Sequence, residues 1–256
     1  MRSTKNTVST TGKTGRADSR TQNAEFDGFA ENYDNILNRG IKFSGYDSAF
    51  FDERKIREIY DFLKPLGIIE SPLRFLNFGC GIGKSEKFIA RYFPQAAIYS
   101  VDTSQESIEI ARTNNREQYN ITFSVFDGYL VPFEIEFDVI LVANVFHHIP
   151  PTEHMTVLKN IFQKTAERGY LFIFEHNPFN PLTRKVVNSC PLDKNAALLD
   201  PFYTSKILRR SGFLWRTTRF IHFFPKFLSF LTPLEKLLRK VPLGAQYYFV
   251  ASKTIE

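Results

Sequence analysis

The stretch FLNFGCGIGKSE, residues 75–86, reads as a strand, a glycine loop and the start of a helix. Three nucleotide-binding readings compete for such a loop. A P-loop needs four residues between its first glycine and Gly-Lys-Ser, whereas Gly79 and Gly83 enclose three and position 78 is Phe. The dinucleotide fingerprint G-x-G-x-x-G needs a glycine where this chain has Lys84. What remains is G-x-G-x-G at Gly79-Cys80-Gly81-Ile82-Gly83, with the acid Asp102 lying 19 residues past Gly83 at the end of the next apolar run. Glycines let a ligand approach the backbone closely, and a carboxylate at a strand end accepts hydrogen bonds from paired hydroxyls such as those of a ribose. The loop therefore suits a nucleoside that lacks a pyrophosphate.

Outward from the loop the chain alternates. AIYSVD reads as a strand, and QESIEIARTNN as a helix opened by a capping box of Thr103 and Glu106. ITFSVF, FDVILVANVF and YLFIFE read as strands, with a helix near residues 152–165 between the last two. Apolar strands that do not alternate, separated by helices, predict a parallel sheet covered on both faces, a doubly wound α/β domain. Upstream, Phe26, Phe29, Tyr33 and Leu37 share one helical face and FFDERKIREIYDFLKPLG forms a second helix, so residues 25–70 are N-terminal helices. Downstream, residues 176–203 break the rhythm with repeated prolines and read as a long irregular lid or substrate wall. A helix at TSKILRRSG, a strand at FLWRTTRFI and a last strand at AQYYFVAS complete the chain.

Composition sets the class. Of 256 residues, 43% are hydrophobic and 23% charged, which excludes collagen-like, disulfide-scaffold and wholly disordered chains. Cys80 and Cys190 are expected as free thiols in a reducing compartment. No apolar run approaches the roughly 18 residues of a membrane span and no secretory segment is evident, so a cytoplasmic protein is expected. The net charge of +6 is uneven: +4 in residues 1–20, +8 in residues 203–243 and −6 between them. Residues 1–24 read as a disordered basic arm before a domain spanning residues 25–256.

Through LNFGCGIG, the strand end VDTS, Phe126-Asp127-Gly128 and FDVILVANVFHHIPP, the chain resembles the class I S-adenosylmethionine-dependent methyltransferases over roughly residues 26–176. The resemblance implies a Rossmann-like doubly wound, mostly parallel seven-stranded sheet with an antiparallel last strand. It also implies helical cap insertions at 176–203 and 223–244, and S-adenosyl-L-methionine as cofactor. Carried over residue by residue, it assigns Gly79, Cys80, Gly81 and Gly83 to the cofactor cradle and Asp102 to the ribose. Thr103 would flank the adenine, Asp127 would bond its amine beside Gly128, and Asn144 and Val145 would line the methionine end. Tyr33 matches an aromatic that closes over the cofactor. One departure stands at Asn77, where the family usually has an acid that helps hold the cofactor's ammonium. An amide accepts one hydrogen bond but brings no charge, so the expectation is lower affinity or a substitute carboxylate.

A sulfonium methyl is already activated, so its transfer needs an aligned nucleophile, a dry site and in some reactions a base. His148 matches the position where related small-molecule enzymes carry a histidine before proline, and is the first candidate for base or acceptor-orienting group. His176 and Glu175 leave the fifth strand toward the same rim, while His147 is expected to be satisfied by backbone bonds. No metal is expected, because H-E-x-x-H and paired C-x-x-C motifs are absent and the histidines are scattered apart from His147 and His148. The signatures of nucleic-acid amino and pyrimidine-carbon methylation are absent too, which disfavours nucleic acid and favours a small or lipid-linked acceptor. In residues 223–244, Phe227, Leu231, Leu234, Leu238 and Val241 form an apolar stripe with Lys226, Lys236, Arg239 and Lys240 outside it, and Thr232, Pro233 and Glu235 read as a capped helix start. That face would rest on the inner face of a membrane, wall an apolar pocket, or pack on the core or a homodimer partner. EHNPFNPLTR and CPLD are also similar, more weakly, to methyltransferase-like chains of surface-glycan assembly, which would put Arg184 or Asn177 against sugar or phosphate. The competing readings are a cofactor-binding sensor or scaffold without transfer activity, and an RNA methyltransferase.

Overall fold

The computed structural model describes residues 32–254; the basic arm, Phe26 and Phe29 lie outside them. Helices α1 (Tyr33–Ile41) and α2 (Ser48–Leu63) precede the sheet. Asp47 caps α2, its carboxylate accepting from Phe50 N at 2.9 Å. Seven strands follow, β1 (Arg74–Phe78), β2 (Ala97–Asp102), β3 (Ile121–Val125), β4 (Phe137–Ala143), β5 (Thr165–His176), β6 (Leu214–Ile221) and β7 (Gln246–Ser252). Their spatial order is β3-β2-β1-β4-β5-β7-β6. The pairs among β1 to β5 are parallel, whereas β7 runs antiparallel between β5 and β6. This is the Rossmann-like seven-stranded sheet that the strand pattern and the resemblance anticipated.

Between and after the strands lie α3 (Glu86–Tyr92), α4 (Gln105–Asn114), α5 (His154–Lys164), α6 (Pro181–Ser189), α7 (Pro201–Arg210) and the single turn α8 (Glu235–Leu238). Successive strand side chains point to opposite faces. Leu76 and Phe78 join Ile140, Val142, Leu171 and Ile173 under α5 and α7, while Phe75 joins Val139, Leu141 and Phe172 under α2 and α3. Both faces are dry, so the central strands need not alternate with polar residues.

Four local expectations are corrected. Ser104, not Thr103, caps α4 by accepting from Ser107 N at 3.0 Å. β4 ends at Ala143 because Asn144 takes a left-handed φ of 57°, and Phe146–His148 form a 3-10 turn. The segment 176–203 is largely helical: Asn180 caps α6 with Pro181 in the first turn, and Asp200 caps α7. Residues 223–244 do not form an amphipathic helix pair. They make 3-10 turns over Lys226–Leu234, kinked at Leu228, and then α8. Glu235 does not close a box on Thr232; it is buried, accepting from Arg54 Nη2 at 2.8 Å and Phe223 N at 2.9 Å. Phe227 and Leu237 instead face outward, 76% and 80% exposed. Among the described residues no helix is long and apolar enough to cross a membrane.

Candidate active site

Chain order reverses between the neighbours β1 and β4, so a crevice opens at their carboxyl ends, the usual ligand position in open α/β sheets. A cavity of about 790 Å³ starts there and extends to α6 and residues 222–227. At its floor Gly79 N and Cys80 N donate to Val101 O at 2.8 and 3.0 Å. Asp102 accepts from Gly81 N at 2.7 Å with one oxygen and from Ser104 N at 3.0 Å with the other, so one carboxylate ties the glycine loop to the start of α4 while lining the cavity. Gly79 has φ 78°, and a Cβ there would sit 2.4 Å from Val145 Cγ2. Gly83 has φ 71° and would meet Asn115 Nδ2 at 2.7 Å. Asn114 and Asn115 donate to the carbonyls of Ile82 and Gly83 at 2.9 and 2.8 Å, bracing the loop from the end of α4. Sequence reading missed both; two amides at a helix end were the only available signal.

Thr103, Gly128, Asn144 and Val145 line the same cavity. Asp127 lines it too, but one of its oxygens is taken by Tyr129 N and Leu130 N at 2.8 and 2.7 Å, which makes it a turn residue with one oxygen left for a ligand. The buried Oδ1 of Asn144 has no hydrogen-bond partner. The side chain of Tyr33 lies outside the described residues. Asn77 is buried and donates its amide to Glu86 Oε1 at 2.8 Å, an oxygen that also accepts from Ser100 Oγ at 2.8 Å. Glu86 is wholly buried and its other oxygen is unpaired; burial pushes its carboxyl up to about 7. With its amide committed to Glu86, Asn77 keeps its carbonyl oxygen for the cavity it lines.

At the opposite end, the 3-10 turn after β4 and the tip of β5 bring three histidines together. His147 Nδ1 lies 2.5 Å from Glu175 Oε2, and Glu175 Oε1 accepts from Phe146 N at 2.9 Å. Asp193, from the loop after α6, places Oδ1 3.5 Å from His147 Nε2 and 3.6 Å from His148 Nε2. At that distance the carboxylate is a charged neighbour and not a hydrogen-bond acceptor, so His147 Nε2 is buried without a partner. Burial alone would lower His147, but the charges of Glu175 and Asp193 outweigh it and raise the imidazole to about 9. Burial, reinforced by the His147 charge, lowers His148 to about 3 and His176 to about 4. Both are therefore neutral at pH 7.

The sequence candidates separate accordingly. His148 and His176 line the cavity. Glu175 is wholly buried behind His147 and does not line the cavity. His147 is held by Glu175 and not by backbone bonds. Asn177 is a structural pin, donating to Pro242 O and Gly244 O at 3.1 and 2.7 Å, and Arg184 is exposed on α6 away from the cavity. The cavity has two further polar members that no local motif announced. His222, at φ 62°, has its ring 4.6 Å from that of Phe51 and an unpartnered buried Nε2, and Gln246 has an unpartnered buried Oε1.

Fold and site together define a class: a Rossmann-like domain with a nucleoside cradle at the switch point of its sheet. Gly81 leaves open space on its side-chain face and Asn144 offers a buried oxygen without a partner, both of which fit a bound amino-acid nucleoside. Residues 75–169 match the family model described as a methyltransferase domain. The chain is 27% identical over 159 residues to malonyl-[acyl-carrier protein] O-methyltransferase of Bacillus cereus, covering 61% of this chain and 54% of that one. It is 28% identical over 163 residues to trans-aconitate 2-methyltransferase of Methylobacterium radiotolerans, covering 62% and 60%. The chain thus spans about half of the length of the curated relatives it matches. Its fold is similar to magnesium protoporphyrin IX methyltransferase from Synechocystis PCC 6803 with bound S-adenosylhomocysteine, at a TM-score of 0.65, 17% identity and coverage of 93% and 100%.

Proposed function

We propose that this protein transfers the methyl group of S-adenosyl-L-methionine to an oxygen or nitrogen of a small or lipid-linked acceptor. One observation carries the reading: of six buried side-chain atoms without hydrogen-bond partners among the described residues, those of Asn144, His147, His222 and Gln246 all belong to residues lining one cavity. Buried polar atoms without partners cost stability, and four residues that carry them around one cavity mark it as a functional centre. Asp102 would hold the ribose, the remaining oxygen of Asp127 the adenine amine, and Asn77 with Asn144 the methionine ammonium. When bound, the cofactor supplies an electrophilic methyl. Neutral His148 and His176 accept a hydrogen bond from an acceptor hydroxyl or amine and orient its lone pair; with pKa values near 3 and 4 they are weak proton removers. Phe43, Tyr46, Phe51, Phe223 and Phe224 line the acceptor end and suit an apolar body. Malonyl and aconitate groups, named for the curated relatives, both present carboxyl oxygens, which favours oxygen as the accepting atom.

The exposed Phe227 and Leu237, in a segment that also carries Lys226, Lys236 and Lys240, favour an acceptor carried on a lipid. Calorimetry with S-adenosylhomocysteine tests the cradle, and failure to bind overturns the proposal. Labelled cofactor incubated with cell fractions tests transfer. His148→Ala should retain binding and lose transfer, and label in the organic phase identifies a lipid-linked acceptor. Binding without product in any fraction would instead support the sensor reading, for which the uncharged Asn77 is the supporting residue.

A further inference from the structure

The geometry points to a divalent transition-metal site formed by His147, His148 and Asp193 at the acceptor end of the cavity. One donor atom from each residue lies within 4.8 Å of the others. Asp193 Oδ1 is 3.5 Å from one imidazole Nε2 and 3.6 Å from the other. Donors around a tetrahedral ion with bonds of about 2.0–2.1 Å stand about 3.4 Å apart, so both carboxylate-to-imidazole distances already suit an ion and closing the imidazole pair completes the triad. A second observation is independent of the clustering: His147 Nε2 is buried, has no hydrogen-bond partner and belongs to the triad. Its other nitrogen meets Glu175, which is itself pinned by Phe146 N. A carboxylate on the far nitrogen of a histidine is the usual outer support of a metal ligand, because it keeps the proton on Nδ1 and leaves Nε2 to coordinate once an arriving ion has displaced the Nε2 proton. Two imidazoles and one carboxylate suit zinc or ferrous iron; magnesium and calcium prefer oxygen donors alone. All three residues line the cavity, so a fourth position faces the acceptor, and an acceptor oxygen placed there would be polarised and aimed. The inference runs against the expectation drawn from motif spacing. Asp193 lies 45 residues past His148, and no linear pattern joins them.

The site rests on the triad and not on methyl transfer, so it is tested on the full chain, stripped of metal, without cofactor. Competition with a chromophoric chelator should show one equivalent of Zn²⁺ bound and no matching affinity for Mg²⁺. Asp193→Asn and His148→Ala should each weaken Zn²⁺ binding at least tenfold, and Glu175→Gln by about ten- to hundredfold. His148 is partly exposed, so its truncation keeps the test decisive if the Asp193 variant does not fold. Absence of stoichiometric Zn²⁺ binding, or equal binding by the variants, overturns the proposal and leaves Asp193 as an ion-pair partner of His147. Calorimetry with S-adenosylhomocysteine on the same samples separates this result from failure of the cofactor cradle.

Discussion

Asp102 performs two tasks at once, which makes it the most exposed single point of the cradle. Asp102→Asn keeps the shape but removes the charge that holds Gly81 N and Ser104 N. Hydrogen bonds to charged groups contribute about 1.5–3 kcal/mol against about 1 for neutral ones. Affinity for S-adenosylhomocysteine should therefore fall about tenfold or more, read by calorimetry. Gly79→Ala combines a left-handed backbone with a Cβ driven against Val145; a loss of about 1–3 kcal/mol in denaturant unfolding is expected from the backbone alone. Glu86 gives a pH signature. Its folded pKa of about 7 lies above the ordinary 4.5, so between those values the folded protein binds a proton that the unfolded chain has released. Stability therefore falls as pH rises from about 4.5 to about 7, by an amount of order 3 kcal/mol. Asp52 of α2 and Cys80 of the loop are the neighbouring titratable groups, and Asp52 adds to the shift. Glu86→Gln should flatten this slope in denaturant titrations at pH 5 and pH 8; an unchanged slope would assign it to other groups.

Residues 223–244 show how an element can be misread from periodicity. Apolar spacing grouped Phe227, Leu231, Leu234, Leu238 and Val241 as one helical stripe, but Glu235 is the buried anchor. Arg54 of α2 bridges Glu58 and Glu235, Arg239 returns to Glu58 at 3.1 Å, and Tyr248 of β7 donates to Glu58 at 2.8 Å. The decisive partners are 181 residues apart, beyond any local window. Truncating one member of a buried ion pair leaves the other charge unmatched, so Glu235→Ala should cost about 3–5 kcal/mol, whereas the paired Arg54→Met and Glu235→Leu change should cost less than either single one. Chemical denaturation of the wild type and these variants measures this. The strands and the glycine loop were legible because their signals are contiguous: β1, the turn and α3 are one run of residues. The cap of α4 was misplaced by one residue because Thr103 and Ser104 are both capping types and only backbone geometry chooses between them.

At the scale of the molecule, large apolar side chains of the N-terminal and cap segments stand exposed. Phe43, Phe179, Leu182, Phe227, Phe230, Leu234, Leu237 and Leu243 are all at least 44% exposed, and Phe43, Leu182 and Phe227 also line the cavity. With Lys226, Lys236 and Lys240 among them, these segments should carry the protein onto vesicles containing anionic lipid. Phe230→Ser with Leu237→Ser should reduce cosedimentation several-fold, and added salt should weaken it. The sheet and most of the cavity-lining positions around the glycine loop followed from residues near one another in sequence. The acceptor end did not, because His147, Asp193, His222 and Gln246 meet only after the β5 to β7 half has closed.

That closure has an order imposed by synthesis. β7 is the last strand among the described residues, yet it sits between β5 and β6. While the ribosome elongates the polypeptide, β5 presents a bare aromatic edge and β6 has no strand beside it until residues 246–252 emerge. Such an unpaired edge is a template for aggregation. A stop codon placed before Gln246 should send the product to the insoluble fraction and not yield a smaller enzyme.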